Sequence, residues 1–155
     1  MKLVADRFII LLFAAAAASL AQKDSDHRNA VTAAALASDI TQTGHAVVDG
    51  IYFDKGKADL KPQSDPTLSE IGKLMTANAQ LKLFVVGNTN NVGSLTANMV
   101  LSKQRADAVV AALVTRYHVP LARLRASGIG PLAPVATNRT EEGRAKNRRV
   151  ELVEQ

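Results

Sequence analysis

The sequence predicts an α+β domain built as a two-layer sandwich, with helices packed on one face of a sheet. Three observations carry that expectation. Apolar runs of strand length, such as LKLFVVG at 81–87, alternate along the chain with longer segments of helical period. Strands that alternate with helices are joined by βαβ crossovers, which stack the helices against the sheet. The chain then closes on RRVELVE, whose Val150 and Leu152 point to one side of a last strand, with Val153 out of phase.

Taken in order, the chain opens on MKLVADRFIILLFAAAAASLAQK. Lys2 and Arg7 precede an apolar run from Phe8 to about Ala18, and Ser19 and Ala21 fit a small-residue cleavage pattern. This predicts a secretory signal over 1–21, cut after Ala21. An uncleaved anchor is the competing reading, but the run is short of the roughly 20 residues a span needs. No membrane span is expected after cleavage. Residues 22–45 read as a leader with a short helix: QKDSDHRNA has no period, and VTAAALASDITQT at 31–43 suits a helix ended by Gly44.

The domain proper is expected over 46–155. Val47, Val48, Ile51, Tyr52 and Phe53 give a strand interrupted near Asp49 and Gly50. A helix follows Pro66, with Leu68, Ile71, Leu74 and Met75 as its buried stripe. After the strand at 81–87, a long helix from about Leu95 to Tyr117 carries Leu101, Ala106, Val109, Val110, Leu113 and Val114 toward the sheet. A short strand is expected at 124–127, and Thr140, Glu141 and Glu142 can open a small helix, with acids at its positive end.

Composition narrows the function classes. There is no cysteine, hence no disulfide framework, no lipid-modified cysteine and no thiol nucleophile. His27, His45 and His118 have no partner at metal-ligand spacing, and neither a phosphate-binding loop nor G-x-S-x-G is present. Asp54 and Asp59 flank the turn DKGKAD, where Lys55 and Lys57 keep them ionised, so a charge-balanced turn outweighs acid/base work. No enzyme, cofactor or metal site is expected. The net charge of +5 suits an anionic partner. Nucleic acid is disfavoured: Arg139, Arg144, Lys146, Arg148 and Arg149 are dense, but Trp is absent and no aromatic pair forms a stacking platform.

The most informative stretch is VVGNTNNVGSLTANMVLSKQR at 85–105. A buried strand ending at Gly87 delivers Asn88, Thr89, Asn90 and Asn91 to a loop, where Asn tolerates unusual backbone angles. If the loop folds back over the following helix, Asn90 and Arg105 face one small pocket, aided by Asn98. A guanidinium grips a carboxylate through two parallel hydrogen bonds, so the pocket would suit a small amphoteric ligand. A helix-capping turn without a ligand is the alternative reading of the asparagines.

IYFDKGKADLKP, VVGNTNNVGSLTANMVLSKQRADAVVAAL and GIGPLAPVATNRTEEGRAKNRRVELV together resemble the OmpA-like C-terminal domain family, the peptidoglycan-binding module also found in MotB and Pal proteins. The resemblance spans about residues 46–153. It implies a βαβαβ sandwich with a mixed sheet, located in the periplasm or associated with the outer membrane. Its implied ligand is the diaminopimelate side of the peptidoglycan stem peptide, bound without covalent chemistry. It further implies that Asn138, Arg144, Asn147, Arg148 and Arg149 hold the last loop against the sheet, with Arg149 near the pocket. Asp54 matches an acidic position close by.

One departure stands out. The family has G-H-T-D where this chain has Gly87-Asn88-Thr89-Asn90, so the aspartate that pairs with the arginine is Asn90, while the arginine is kept as Arg105. Losing that charge would weaken the grip on an ammonium by about 1–2 kcal/mol, near tenfold in affinity. The expected consequence is weakened binding and a preference shifted toward a ligand carboxylate, with Asp54 as a candidate source of the missing charge. The alternative is a degenerate pocket in a structural protein that docks an envelope partner.

Overall fold

A computed structural model describes residues 31–155. The expected signal at 1–21 and the leader as far as residue 30 lie outside the described residues.

Thr32 caps the first helix, α1 (Ala33–Thr43), by accepting a hydrogen bond from the Ala35 amide, and Gly44 ends it at φ 77°. Leu36 and Ile40 are four apart, so they share a face, and both are buried in the core. The sequence predicts a domain from residue 46, with α1 in a leader. In the structure α1 belongs to the core, because this pair makes a stripe that the alanine-rich composition obscures. A carboxylate from the next helix also holds it: Glu70 Oε2 accepts from the Ala33 amide at 2.9 Å.

Strand β1 (His45–Val48) buries Ala46 and Val48 and breaks where expected, at Gly50, whose φ is 84°. Beyond the break, Phe53 pairs with Leu60 in a single bridge, leaving a short hairpin whose tip spans 54–57. Helix α2 (Asp65–Ala77) takes Pro66 in its first turn and buries Leu68, Ile71, Leu74 and Met75, the predicted stripe. Each such side chain contributes about 1.5–3 kcal/mol when removed from water.

Strand β2 (Leu83–Gly87) runs into the asparagine loop, which leads to α3 (Leu95–Tyr117), capped by Ser94 and closed by His118 in the left-handed conformation. Strand β3 (Leu124–Gly128) lies parallel to β2, as a βαβ crossover requires. Helix α4 (Glu141–Asn147) begins at Thr140, which caps it, and β4 (Val150–Glu154) completes the sheet. The order is β1-β4-β2-β3, with β4 antiparallel to both neighbours, so the other three strands share one direction. This is the expected mixed sheet. Ala46, Val48, Leu83, Val85, Val150 and Leu152 all face the helices and are buried.

Two glycines let α3 sit close to the sheet. A Cβ on Gly87 would collide with the Ser102 main chain, and one on Gly128 with the Lys103 main chain. Ser102, fully buried at this contact, accepts from the Gly130 amide at 2.9 Å. The register of α3, and with it the position of Arg105 one turn further on, follows from that contact. No helix among the described residues is long and apolar enough to cross a membrane.

Candidate ligand-binding site

The segment after β1, the hairpin tip, the asparagine loop, the start of α3 and helix α4 enclose a cleft of about 1300 Å³. Asn90, Arg105, Asn98, Asp54 and Arg149 all line it, although four separate segments supply them. Six basic side chains line the cleft (Lys55, Arg105, Arg144, Lys146, Arg148 and Arg149) against three acidic ones (Asp49, Asp54 and Glu141). The balance favours an anionic group.

Arg105 is 7% exposed and held from several directions. Its Nε donates to the Lys57 carbonyl at 2.9 Å, Nη2 donates to the Asp54 carbonyl at 3.3 Å, and the guanidinium lies 4.9 Å from the centre of the Phe53 ring. Cation–π stacking of this kind favours Arg over Lys. Burial lowers its pKa from the ordinary value, and the positive charge of Arg148 lowers it further. Burial leaves this cation less hydrated than a surface arginine, and the neighbouring positive charge favours an anion beside it.

Asn90 is tied into its own loop. Its Oδ1 accepts from the Val92 amide at 3.0 Å, an Asx turn. Asn98 holds the same residue through its next peptide, its Nδ2 donating to the Val92 carbonyl at 2.9 Å. Val92 is thereby pinned between two amides, which accounts for the first residue of the motif Asn98-x-x-Leu101-Ser102-x-x-Arg105-Ala106. Leu101 of that motif lines the cleft, Ser102 seats the helix and Ala106 packs fully buried beneath it.

Asp54 contributes in two ways. Its main-chain oxygen meets Arg105, whereas its carboxylate pairs with Lys61 Nζ at 3.1 Å on an exposed surface. The carboxylate expected to replace the charge missing at Asn90 is thus shared with a lysine at the surface. Arg149 pairs with Glu151, with Nε 2.7 Å from Oε1, and its Nη2 donates to the Ala133 carbonyl at 2.9 Å. Its Nη1 is buried without a hydrogen-bond partner among the described residues, as is Thr89 Oγ1, which sits beside Asn90 and also lines the cleft. The sequence places Thr89 in the loop but does not mark it as a site residue, although its position between Asn88 and Asn90, just past the buried end of β2, is the available signal.

The last loop is held largely by Asn147. Fully buried, it accepts from the Val135 and Ala136 amides at 2.9 and 3.0 Å, and donates to the Ala136 carbonyl and to Asn138 Oδ1 at 2.8 and 2.9 Å. Arg144 adds a hydrogen bond to the Asn138 carbonyl and pairs with Glu141, which also pairs with Arg148. Around the polar centre stand exposed apolar side chains: Val47, Tyr52, Val92 and Val135. A cationic floor with an apolar margin can receive a carboxylate carried on an amphipathic ligand.

Comparison with known proteins agrees with this fold. The family model described as "OmpA family" matches residues 52–148. The Escherichia coli K12 protein named "Probable lipoprotein YiaD" is 38% identical over 117 residues, covering 73% of this chain and 53% of that protein. "Peptidoglycan-binding protein ArfA" of Mycobacterium tuberculosis is likewise 38% identical over 117 residues, covering 75% of this chain and 36% of that protein. The chain thus spans about half, or less, of these relatives' length. Among solved structures, the peptidoglycan-associated lipoprotein from Burkholderia pseudomallei superposes with a TM-score of 0.62 at 31% identity, covering 68% of this chain and 88% of that one.

Proposed function

The OmpA family is the one to which this chain belongs, and from that membership we propose that its cleft binds peptidoglycan without covalent chemistry, holding a carboxylate at the diaminopimelate end of the stem peptide against Arg105. The supporting observation is that a buried, desolvated guanidinium and the asparagine loop line one cationic cleft. Asn90 stands beside the ligand, Arg149, paired with Glu151, lines the cleft, and Asn98 and the main chain at Asp54 brace the walls. The protein works in the cell envelope, on the periplasmic side, as a binding module with no catalytic step.

A specific observation favours a second reading, that of an interaction protein docking an envelope partner. Two nitrogens of Arg105 already donate to carbonyls of the hairpin, a role that requires no ligand. Co-sedimentation with purified cell-wall sacculi separates the two readings. The binding reading expects the protein to pellet with sacculi, to be released by soluble diaminopimelate-containing muropeptide, and to lose the interaction on Arg105→Ala. Release by the muropeptide is read on the unmodified chain, so it holds even if the variant is unstable. Failure of the unmodified protein to pellet would favour the interaction reading.

A further inference from the structure

Granted the reading above, we infer that the cleft selects a carboxylate whose neighbouring nitrogen is acylated, as at a peptide cross-link, over one that stands beside a free ammonium. The inference starts from the atoms of Asn90. Its Oδ1 is engaged by the Val92 amide, and only an oxygen can accept from that N–H, so the orientation of the side-chain amide is settled by its neighbour. Among the described residues, what Asn90 has uncommitted is its NH₂, a pair of donors. The polar side chains that line the cleft are then mainly donors, the Arg105 and Arg149 guanidinium groups and an amide NH₂, with the Thr89 hydroxyl and Asn98 Oδ1, whose NH₂ is spent on the Val92 carbonyl, as neutral acceptors.

An ammonium is itself a donor with no acceptor capacity, so beside two guanidinium groups and an NH₂ it would lose hydration and gain no more than a neutral acceptor such as Asn98 Oδ1. Acylation changes the nitrogen in two respects. The positive charge disappears, and a carbonyl oxygen is added within reach of a donor. The carboxylate that Arg105 would grip is untouched. A free amino-acid terminus therefore meets one favourable and one unfavourable contact, whereas an acylated one meets two favourable contacts.

The carboxylates that line the cleft do not restore the balance. Asp54 pairs with Lys61, and Glu141 pairs with Arg144 and Arg148. Asp49 has no ion pair among the described residues, but it is exposed, where an ammonium keeps most of its water and gains little.

Two soluble muropeptides test the inference: a monomer with the free diaminopimelate amine, and the same monomer N-acetylated at that amine. Each is titrated calorimetrically into the unmodified protein and into Asn90→Asp, which keeps the Asx oxygen and replaces the NH₂ by a charged oxygen. The unmodified protein should bind the acetylated probe about tenfold more tightly, the ratio expected between charge-assisted and neutral contacts, and Asn90→Asp should reverse the order. Equal affinities, or preference for the free amine in the unmodified protein, would overturn the selectivity while leaving peptidoglycan binding intact. Absence of binding by both proteins to both probes would overturn the selectivity and the underlying reading together.

Discussion

Arg105 Nε donates to the main-chain oxygen of Lys57 at 2.9 Å, so a guanidinium in the middle of α3 holds the tip of a hairpin 48 positions earlier in the chain. The same guanidinium reaches the Asp54 carbonyl and covers the Phe53 ring. Any ligand role of Arg105 is thus built on a structural one. Arg105→Lys should lower stability by about 1–3 kcal/mol, because an ammonium cannot reproduce the fork or the stacking. Urea unfolding gives the midpoint, and amide exchange at Lys57 reports the freed tip. A lysine variant indistinguishable from the parent in both would show that these contacts carry no weight.

Asn147 makes four hydrogen bonds from a fully buried position, one for each donor and acceptor direction of its amide. Asn147→Ala should cost about 2–4 kcal/mol, since it leaves loop amides without partners in a dry environment. Asn147→Asp should be similarly damaging, because an oxygen would then face the Ala136 carbonyl and Asn138 Oδ1. A retained thermal midpoint in the aspartate variant would argue that the loop is held by other contacts.

Gly128 and Gly44 offer a contrast between two reasons for glycine. A Cβ at Gly128 would strike the α3 main chain, so Gly128→Ala should destabilise by about 1–3 kcal/mol or more and push α3 off the sheet. At Gly44 nothing lies within 4 Å, but φ is 77°, so Gly44→Ala should cost only about 1 kcal/mol, from backbone strain. Calorimetric unfolding of the two variants gives the order directly, and the reverse order would contradict the close packing.

Glu70 links α2 to α1, and its carboxyl pKa is held below the ordinary value, first by the hydrogen bond from Lys73 and then by the one from the Ala33 amide. A carboxyl lowered in the folded state contributes stability above its unfolded pKa, and that contribution is lost as pH falls through the folded value. Acidification below about pH 4 should therefore loosen the start of α1. Glu70→Gln keeps a neutral acceptor for Ala33 but removes the titration. Amide exchange at Leu36 and Ile40, compared between parent and variant at each pH, should converge in acid and diverge above it. Parallel behaviour throughout would show that Glu70 does not anchor α1.

Most of the sheet and helices was legible because apolar spacing is local information. Leu68, Ile71, Leu74 and Met75 announce a helix face, and LKLFVVG announces a buried strand, whatever the rest of the chain does. Helix α1 was harder to place, since its alanines blur the stripe that Leu36 and Ile40 form and only the packed core reveals. The convergence of Asn90, Asn98 and Arg105 was also foreshadowed, by a strand that ends in a polar loop and an arginine on the following helix.

Residue types and spacings therefore placed an arginine near an asparagine-rich loop, and the family resemblance marked the aspartate that Asn90 replaces. Which atoms those side chains leave uncommitted was decided only by the tertiary structure. The Val92 amide takes the oxygen of Asn90, Lys61 takes the carboxylate of Asp54, and the hairpin takes two nitrogens of Arg105. Hydrogen-bond partners are a property of three-dimensional neighbours, and a side chain that is both donor and acceptor shows a ligand only the half its neighbours have not used.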